Sequence, residues 1–268
     1  MITRLYPHGK RKAFVLTYDD GVLQDVRLVL LLNKYGLKGT FNLNSLLMER
    51  EFTWHHEKIG PVRRLPNAIA AHLYEGHEVA SHSCTHPDLT DMSRDAICYE
   101  LGHDRYLLEQ LTGQQVKGFG VPFDYYDGIA VDCVRELGFV YGRGSEETRS
   151  YAPLWDPYRQ QAGLFHLSEG LTDFVEGFLH TEEELAACII VGHSYDLDAE
   201  NLWDTMEEIC RRVSADEDVL SMTHLELVEY QQAMLRAEIT GDTVVNRSDR
   251  PLWFQINGEI TKVDPIVG

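Results

Sequence analysis

Three groups of polar residues sit at the ends of short apolar runs, where a folded chain can bring them together. The first is Asp19-Asp20-Gly21, which closes the run Ala13–Tyr18. Two adjacent carboxylates point different ways, so one can bind a cation while the other stays free as a base. An Asp-Gly turn whose carboxylate caps the next helix would carry the same residues. The second group is His82-Ser83-Cys84-Thr85-His86-Pro87. Two neutral imidazoles plus a carboxylate are a usual zinc set with one position open for water. The glutamate of an HExxH helix is absent, and by themselves the two histidines could be surface or capping residues. The third is His193, which follows Ile189-Ile190-Val191-Gly192 and so stands at the mouth of a buried strand. A structural histidine bonded to a backbone carbonyl would look the same, and Gly192 leaves room for a close ligand or backbone approach. Cys84, between two histidines, reads as a bystander.

The elements that must position these groups alternate in type. Strands are expected at 13–18, 38–43, 77–82, 116–121, 139–141, 187–191 and 219–222. Helices are expected at 22–35, 65–74, 93–111, 128–137, 201–213 and 225–237, with a doubtful one from Gly163 interrupted by Gly170. Such alternation implies parallel strands joined by helical crossovers, and about seven of them point to a (β/α) barrel or partial barrel. In that architecture chemistry gathers at the C-terminal ends of the strands, which is where Asp19, Asp20, His82, His86, Pro122-Phe123 and His193 fall. The tail differs. Thr243–Val245, Leu252–Ile256 and Glu259–Val263 read as strands around an Asn257-Gly258 hairpin turn. Residues 1–237 are therefore expected to form the barrel domain and 238–268 a small C-terminal β appendage.

The chain has 268 residues and a formal net charge of −19. Such a surface repels phosphate backbones and anionic lipid, which argues against nucleic-acid or membrane-surface binding. A neutral sugar meets no such penalty. No apolar run approaches the ~20 residues of a membrane span. No signal peptide is evident, and five cysteines without a CxxC fit reduced thiols, so a cytoplasmic location is expected.

The order Thr17-Tyr18-Asp19-Asp20-Gly21, His82-Ser83-Cys84-Thr85-His86-Pro87, Val121-Pro122-Phe123 and Val191-Gly192-His193 resembles the polysaccharide deacetylase family, the NodB-homology group of carbohydrate esterases. The resemblance covers roughly residues 12–235. It implies a distorted (β/α) barrel, a divalent metal (commonly zinc) and removal of acetyl groups from N-acetylated sugars or O-acetylated xylan. By position, Asp19 matches the general base, Asp20, His82 and His86 the metal ligands, and His193 the general acid. The backbone N–H of Phe123 matches a donor to the oxyanion. The expected partner is a small N-acetylated carbohydrate; the oligomeric state is left open.

The chain departs from that pattern in two places. Gly120 stands where the family has an arginine that orients the base; Arg143 is one candidate replacement, an ordinary surface arginine being the alternative. The carboxylate that tunes the general acid is either Asp156 or Asp196, although Asp196 and Asp198 could instead cap the helix near Asn201. Trp155 could stack on a sugar ring or pack in the core, and Tyr195 could line the substrate site. Two other readings stay open: a hydrolase of another small amide, allantoinase-like, and a catalytically silent carbohydrate-binding protein.

Overall fold

The computed structural model describes residues 2–124 and 126–266. A short strand β1 (Ile2–Leu5) leads into β2 (Lys12–Asp19), whose eight residues are all buried. Then follow α1 (Asp25–Lys34), β3 (Thr40–Leu43), α2 (Ser45–Glu49), the hairpin β4 (Thr53–His56) and β5 (Gly60–Arg63), α3 (Asn67–Leu73) and β6 (Glu78–Ser81). The middle of the chain forms α4 (Arg94–Thr112), β7 (Gly118–Gly120), α5 (Gly128–Glu136), β8 (Tyr141–Glu147), β9 (Gln160–Ala162), β10 (Leu164–Phe165) and α6 (Leu171–His180). After these come β11 (Ala186–His193), α7 (Ser194–Ala199), α8 (Trp203–Ala215), β12 (Val219–Ser221) and α9 (His224–Met234). The tail holds β13 (Ala237–Thr240), β14 (Thr243–Asn246), β15 (Leu252–Ile256) and β16 (Glu259–Val263).

The main sheet runs β10-β11-β2-β3-β6-β7-β8-β9, with every pairing parallel. Its two edge strands are consecutive segments separated only by Gly163, so the sheet bends into a nearly closed barrel. Counted as one interrupted strand, β9 and β10 make the ring seven-stranded; the seven expected strands reach that number differently, since they include β12, which lies off the ring, and not β9 or β10. β12 pairs with the first residues of β2, while β3 takes the last ones on Thr17–Asp19, so the two share its length. The apolar residues of β2, β11 and their helices form the main core, with α4 contributing Ile97, Leu101 and Leu108 from one face. Each such buried side chain is worth about 2 kcal/mol of transfer free energy. Ser93 caps α4 by accepting from Ala96 N–H, and Gly113 ends it at φ +70°.

Two expectations need correction, and one hairpin had no expectation at all. The strand expected at 139–141 begins at Tyr141 and runs on to Glu147. It was hidden because Arg143 points a charge into a polar barrel interior, breaking the apolar run. The doubtful helix from Gly163 is instead β9 and β10, and α6 begins only after Gly170. The β4–β5 hairpin, tied by antiparallel pairs Thr53–Arg63 to His56–Gly60, lies in a stretch without alternation.

The tail strands follow the expected pattern, with Asn257 and Gly258 both at positive φ in the hairpin turn. They do not stand alone. β15 pairs antiparallel with β1, and Leu252 and Phe254 share a second core with Tyr6, Val15, Ile189, Leu227 and Tyr230.

Candidate active site

At the C-terminal mouth of the barrel, one ligand atom each from Asp20, His82 and His86 lie within 4.8 Å of one another. His82 directly follows β6, and its Nδ1 donates to the Gly120 carbonyl at 2.7 Å. That bond fixes the tautomer and leaves Nε2 as the free nitrogen, the usual preparation of a metal-binding histidine. His86 sits at φ +55° after a tight turn in which Ser83 is also left-handed. Its N–H donates to Ser83 Oγ, and its Nε2 lies 3.7 Å from Asp20 Oδ1. The turn is anchored from behind by α4: Glu100 accepts from both Thr85 N and Thr85 Oγ1 at 2.9 Å, and Asp104 accepts from Ser45 N and Ser81 Oγ. Burial pushes His82 below the usual histidine range, and pushes His86 down to about 4, with His82 adding to the effect. Neutral imidazoles are the ligating form, so the donor set fits a divalent cation of borderline character, zinc among them.

Asp19 and Asp20 are adjacent, buried and each paired with a buried arginine from a different element. Arg64, just past β5, donates to Asp20 Oδ1 at 2.8 Å and to the Asp20 carbonyl. Arg143, fully buried on β8, donates through Nη2 to Asp19 Oδ1. Asn42 Nδ2 reaches the same oxygen at 2.7 Å. Burial raises both carboxylates, yet Arg143 with His82 and His193 brings Asp19 below the usual carboxylate range, and Arg64 with the histidines does so more strongly for Asp20. Both donors to Asp19 land on Oδ1, which fixes the carboxylate while Oδ2 carries no bond from either.

Arg143 is the answer to the gap at Gly120. The two residues are register partners on β7 and β8. A Cβ on Gly120 would lie 2.7 Å from Arg143 Nη2 and 2.9 Å from Asn42 Cγ, so the guanidinium fills the space that a side chain at 120 would need. The surface reading of Arg143 is thereby replaced.

His193 ends β11 beside Asp19, its register partner on β2. Its Nδ1 lies 3.0 Å from Asp196 Oδ2. Burial lowers the imidazole, but Asp196 first and then Asp20 and Asp19 raise it to about 9, while Asp196 is held at about 2. Asp196 therefore occupies the place left open between it and Asp156. It does not cap a helix near Asn201; it lies inside α7. Asp156 is remote and bonds Tyr158 N–H in its own loop. Asp198 accepts from Trp203 Nε1.

Asp19, Asp20, His82, His86 and His193 line a cleft of about 600 Å³, whose other walls include Phe123, Glu147, Phe165 and Tyr195. Phe123, at φ +57°, sets its ring edge-on to His86 with centroids 4.4 Å apart. Tyr195 stacks on His193 at 5.0 Å and meets Trp54 of the β4–β5 hairpin. Trp155 is not brought to the cleft. It lies in the β8–β9 connection, and its carbonyl accepts from Gln232 on α9. Cys84 is buried beside Ser45 and outside the ligand cluster, its thiol pushed up to about 12 by burial. All five cysteines are free thiols.

Sequence reasoning missed Arg64, Asn42, Glu100 and His166. Arg64 and His166 lie in segments without clear periodicity, so nothing in the sequence aims them at the site. Glu100 and Asp104 had a signal: two acids on the buried face of α4, one turn apart, where Ile97, Leu101 and Leu108 are apolar.

Parallel strands curled into a barrel, with two histidines and two aspartates at their C-terminal ends, define an α/β barrel with a candidate metal centre at its mouth. The chain belongs to the polysaccharide deacetylase family, which residues 7–142 match. Among curated proteins it is similar to a chitin deacetylase of Pestalotiopsis sp, 24% identical over 139 residues, or 52% of this chain and 43% of that one. The chain spans less than half the length of the curated relatives it matches. Among solved structures, a putative polysaccharide deacetylase from Mycobacterium smegmatis aligns over 87% of this chain and 94% of its own, with a TM-score of 0.64 and 16% identity. A family 4 carbohydrate esterase from Streptomyces lividans, in complex with acetate, aligns over 79% and 92%, with a TM-score of 0.54 and 16% identity. At such identity both speak for the fold. His166, His193 and Asp196 lie beyond the family match, and their arrangement rests on the geometry alone.

Proposed function

We propose that the protein is a metal-dependent hydrolase that removes acetyl groups from N-acetylated or O-acetylated carbohydrates. The observation that carries this reading is the pairing of two unlike aspartates: Asp20 with His82 and His86 as a ligand set, and Asp19 beside it, held by one oxygen.

Asp20, His82 and His86 would hold a divalent cation. When bound, it supplies Lewis acidity to the acetyl carbonyl and lowers the pKa of a water molecule. Asp19, fixed through Oδ1 by Arg143 and Asn42, takes the proton of the attacking water on its remaining oxygen. The backbone N–H of Phe123 is the proposed donor to the developing oxyanion. His193 is protonated at neutral pH because Asp196 and the two site carboxylates favour its charged form. It gives that proton to the leaving amine or hydroxyl, which departs poorly without one. Products are acetate and the free amine or alcohol.

The amide-hydrolase alternative drew its weight from the missing arginine at Gly120. Arg143 fills that place, and nothing in the cleft favours it. A silent binding protein has no use for a carboxylate fixed by two donors beside a ligand set.

The test is acetate release from N-acetylglucosamine oligomers and acetylated xylan by zinc-loaded protein. Wild type turns over, with activity falling at alkaline pH as His193, held protonated chiefly by Asp196, loses its proton. Asp19→Asn and His193→Ala each lose about 10³-fold or more in kcat while still retaining metal. Metal retention without turnover of either substrate class by the wild type would overturn the reading.

A further inference from the structure

The acid side of the cleft contains a second histidine for which the mechanism above has no use. His166, which directly follows β10, is buried within the barrel wall, 1% exposed. Its Nε2 lies 3.1 Å from Asp196 Oδ2, the same oxygen that His193 Nδ1 reaches at 3.0 Å. Its Nδ1 lies 3.2 Å from Tyr18 Oη. A line of contacts thus runs Tyr18, His166, Asp196, His193, from the strand that carries the base to the strand that carries the acid.

Proton positions along this line follow from chemistry. The Asp196 carboxylate can only accept, so His166 turns an N–H at Nε2 toward it and leaves Nδ1 to accept from the Tyr18 hydroxyl. An imidazole that accepts at Nδ1 carries its hydrogen on Nε2, and that hydrogen points at Asp196. Burial keeps His166 neutral. The oxygen of Asp196 therefore accepts from two imidazoles at once, one on each side. A carboxylate held from one side only could rotate away when the ring on its other side moves.

Gly192 belongs to the same device. The space above its Cα is filled by the His166 ring: a Cβ there would lie 2.5 Å from ring carbons. The glycine in Val191-Gly192-His193 thus makes room for His166 rather than for a ligand. Ring contacts with Phe165 and Tyr18, at 5.1 and 5.4 Å between centroids, complete the seat.

We propose that His166 is a positioning residue: by donating to Asp196 it fixes the carboxylate that orients His193, so that His193 keeps Nδ1 on Asp196 and offers Nε2 to the cleft. The proposal rests on the reading of His193 as general acid. His166 is neither a cleft-lining residue nor one of the three candidate ligands; its Nε2 meets Asp196 at 3.1 Å and, at the longer distance of 3.4 Å, the His193 backbone N–H.

The test uses four substitutions and two readouts. In zinc-loaded protein, His166→Phe keeps a ring and removes the donor. It lowers kcat about 10- to 100-fold with KM little changed, because orientation of the acid is lost and binding is not. His166→Gln places an amide N–H near the former Nε2 and keeps most of kcat. Gly192→Ala displaces the ring and lowers kcat as His166→Phe does, but costs nothing further in a His166→Ala background, where the methyl enters the vacated space. The second readout is a crystal structure of His166→Phe, expected to show the Asp196 carboxylate rotated and its contact with His193 Nδ1 lost. Unchanged kcat in His166→Phe, or equal losses in His166→Phe and His166→Gln, would overturn the proposal, as would an unmoved Asp196. Absence of turnover in the wild type would remove the hydrolase reading instead, while the crystal structure would still decide whether His166 holds Asp196.

Discussion

Two neighbouring aspartates have different partners, and the different tasks proposed for them rest on that difference. Arg64 and the histidines surround Asp20, whereas Arg143 and Asn42 grip one oxygen of Asp19. Burying a carboxylate beside another is costly unless each charge is paired, and each aspartate has its own arginine. Arg143 reaches Asp19 from the strand next to the one that carries Gly120, so the positions are exchangeable in principle. Arg143→Gly should lower kcat about 100-fold, with KM changed less. Adding Gly120→Arg to it should restore at least tenfold of that loss, since the space is the one just vacated. Steady-state kinetics of the two variants decide this; a double variant as slow as the single one would show that the guanidinium must come from β8. Asp19, Asp20, His82, His86 and His193 were legible from the sequence because each follows an apolar strand. Arg143 was legible only as a candidate, since register between β7 and β8 is a tertiary fact. Trp155, left open between stacking on a sugar and packing in the core, could not be placed because aromatic character does not say which end of a barrel a loop visits.

Helix α4 links the core to the site. Its apolar face fixes it against the sheet, and from that fixed helix Glu100 and Asp104 reach the turn that holds His82 and His86. Outer partners of this kind set ligand geometry and so metal affinity. Glu100→Leu should weaken zinc binding about 10- to 100-fold in competition with a chromophoric chelator, with the fold retained. Unchanged affinity would mean that the turn holds its shape without α4. Helix boundaries here were readable because Ser93 and Gly113 are strong punctuation. The β8 strand was not, because its inward residues are polar: Tyr141 donates to Glu78 and stacks on His224 inside the barrel. An apolar-run criterion fails where the interior is itself a polar network.

At the scale of the whole molecule, the tail and the first strand close one side of the barrel together. β1 pairs with β15, and Leu252 and Phe254 are fully buried against barrel residues. The sequence revealed the tail hairpin through Asn257-Gly258, yet no local signal pairs residues 2–5 with 252–256, some 250 positions away. Removing residues 238–268 should therefore destabilise the barrel by about 3–6 kcal/mol, the burial of two large side chains, without changing the metal ligands. Urea unfolding of the truncated and full chains measures it; equal midpoints would make the tail an independent attachment. The barrel closure also brings the ends of β2, β6 and β11 to one mouth, which is why residues separated by more than a hundred positions meet there.

The central claim is that Asp20, His82 and His86 close on one cation. Anomalous diffraction at the zinc edge from zinc-soaked crystals tests it most directly. The account predicts a single strong peak about 2.0–2.1 Å from the free ring nitrogens of His82 and His86 and about 2.0–2.2 Å from an Asp20 oxygen. A peak bound elsewhere, or Asp20 still held by Arg64 with no peak between the histidines, would contradict it.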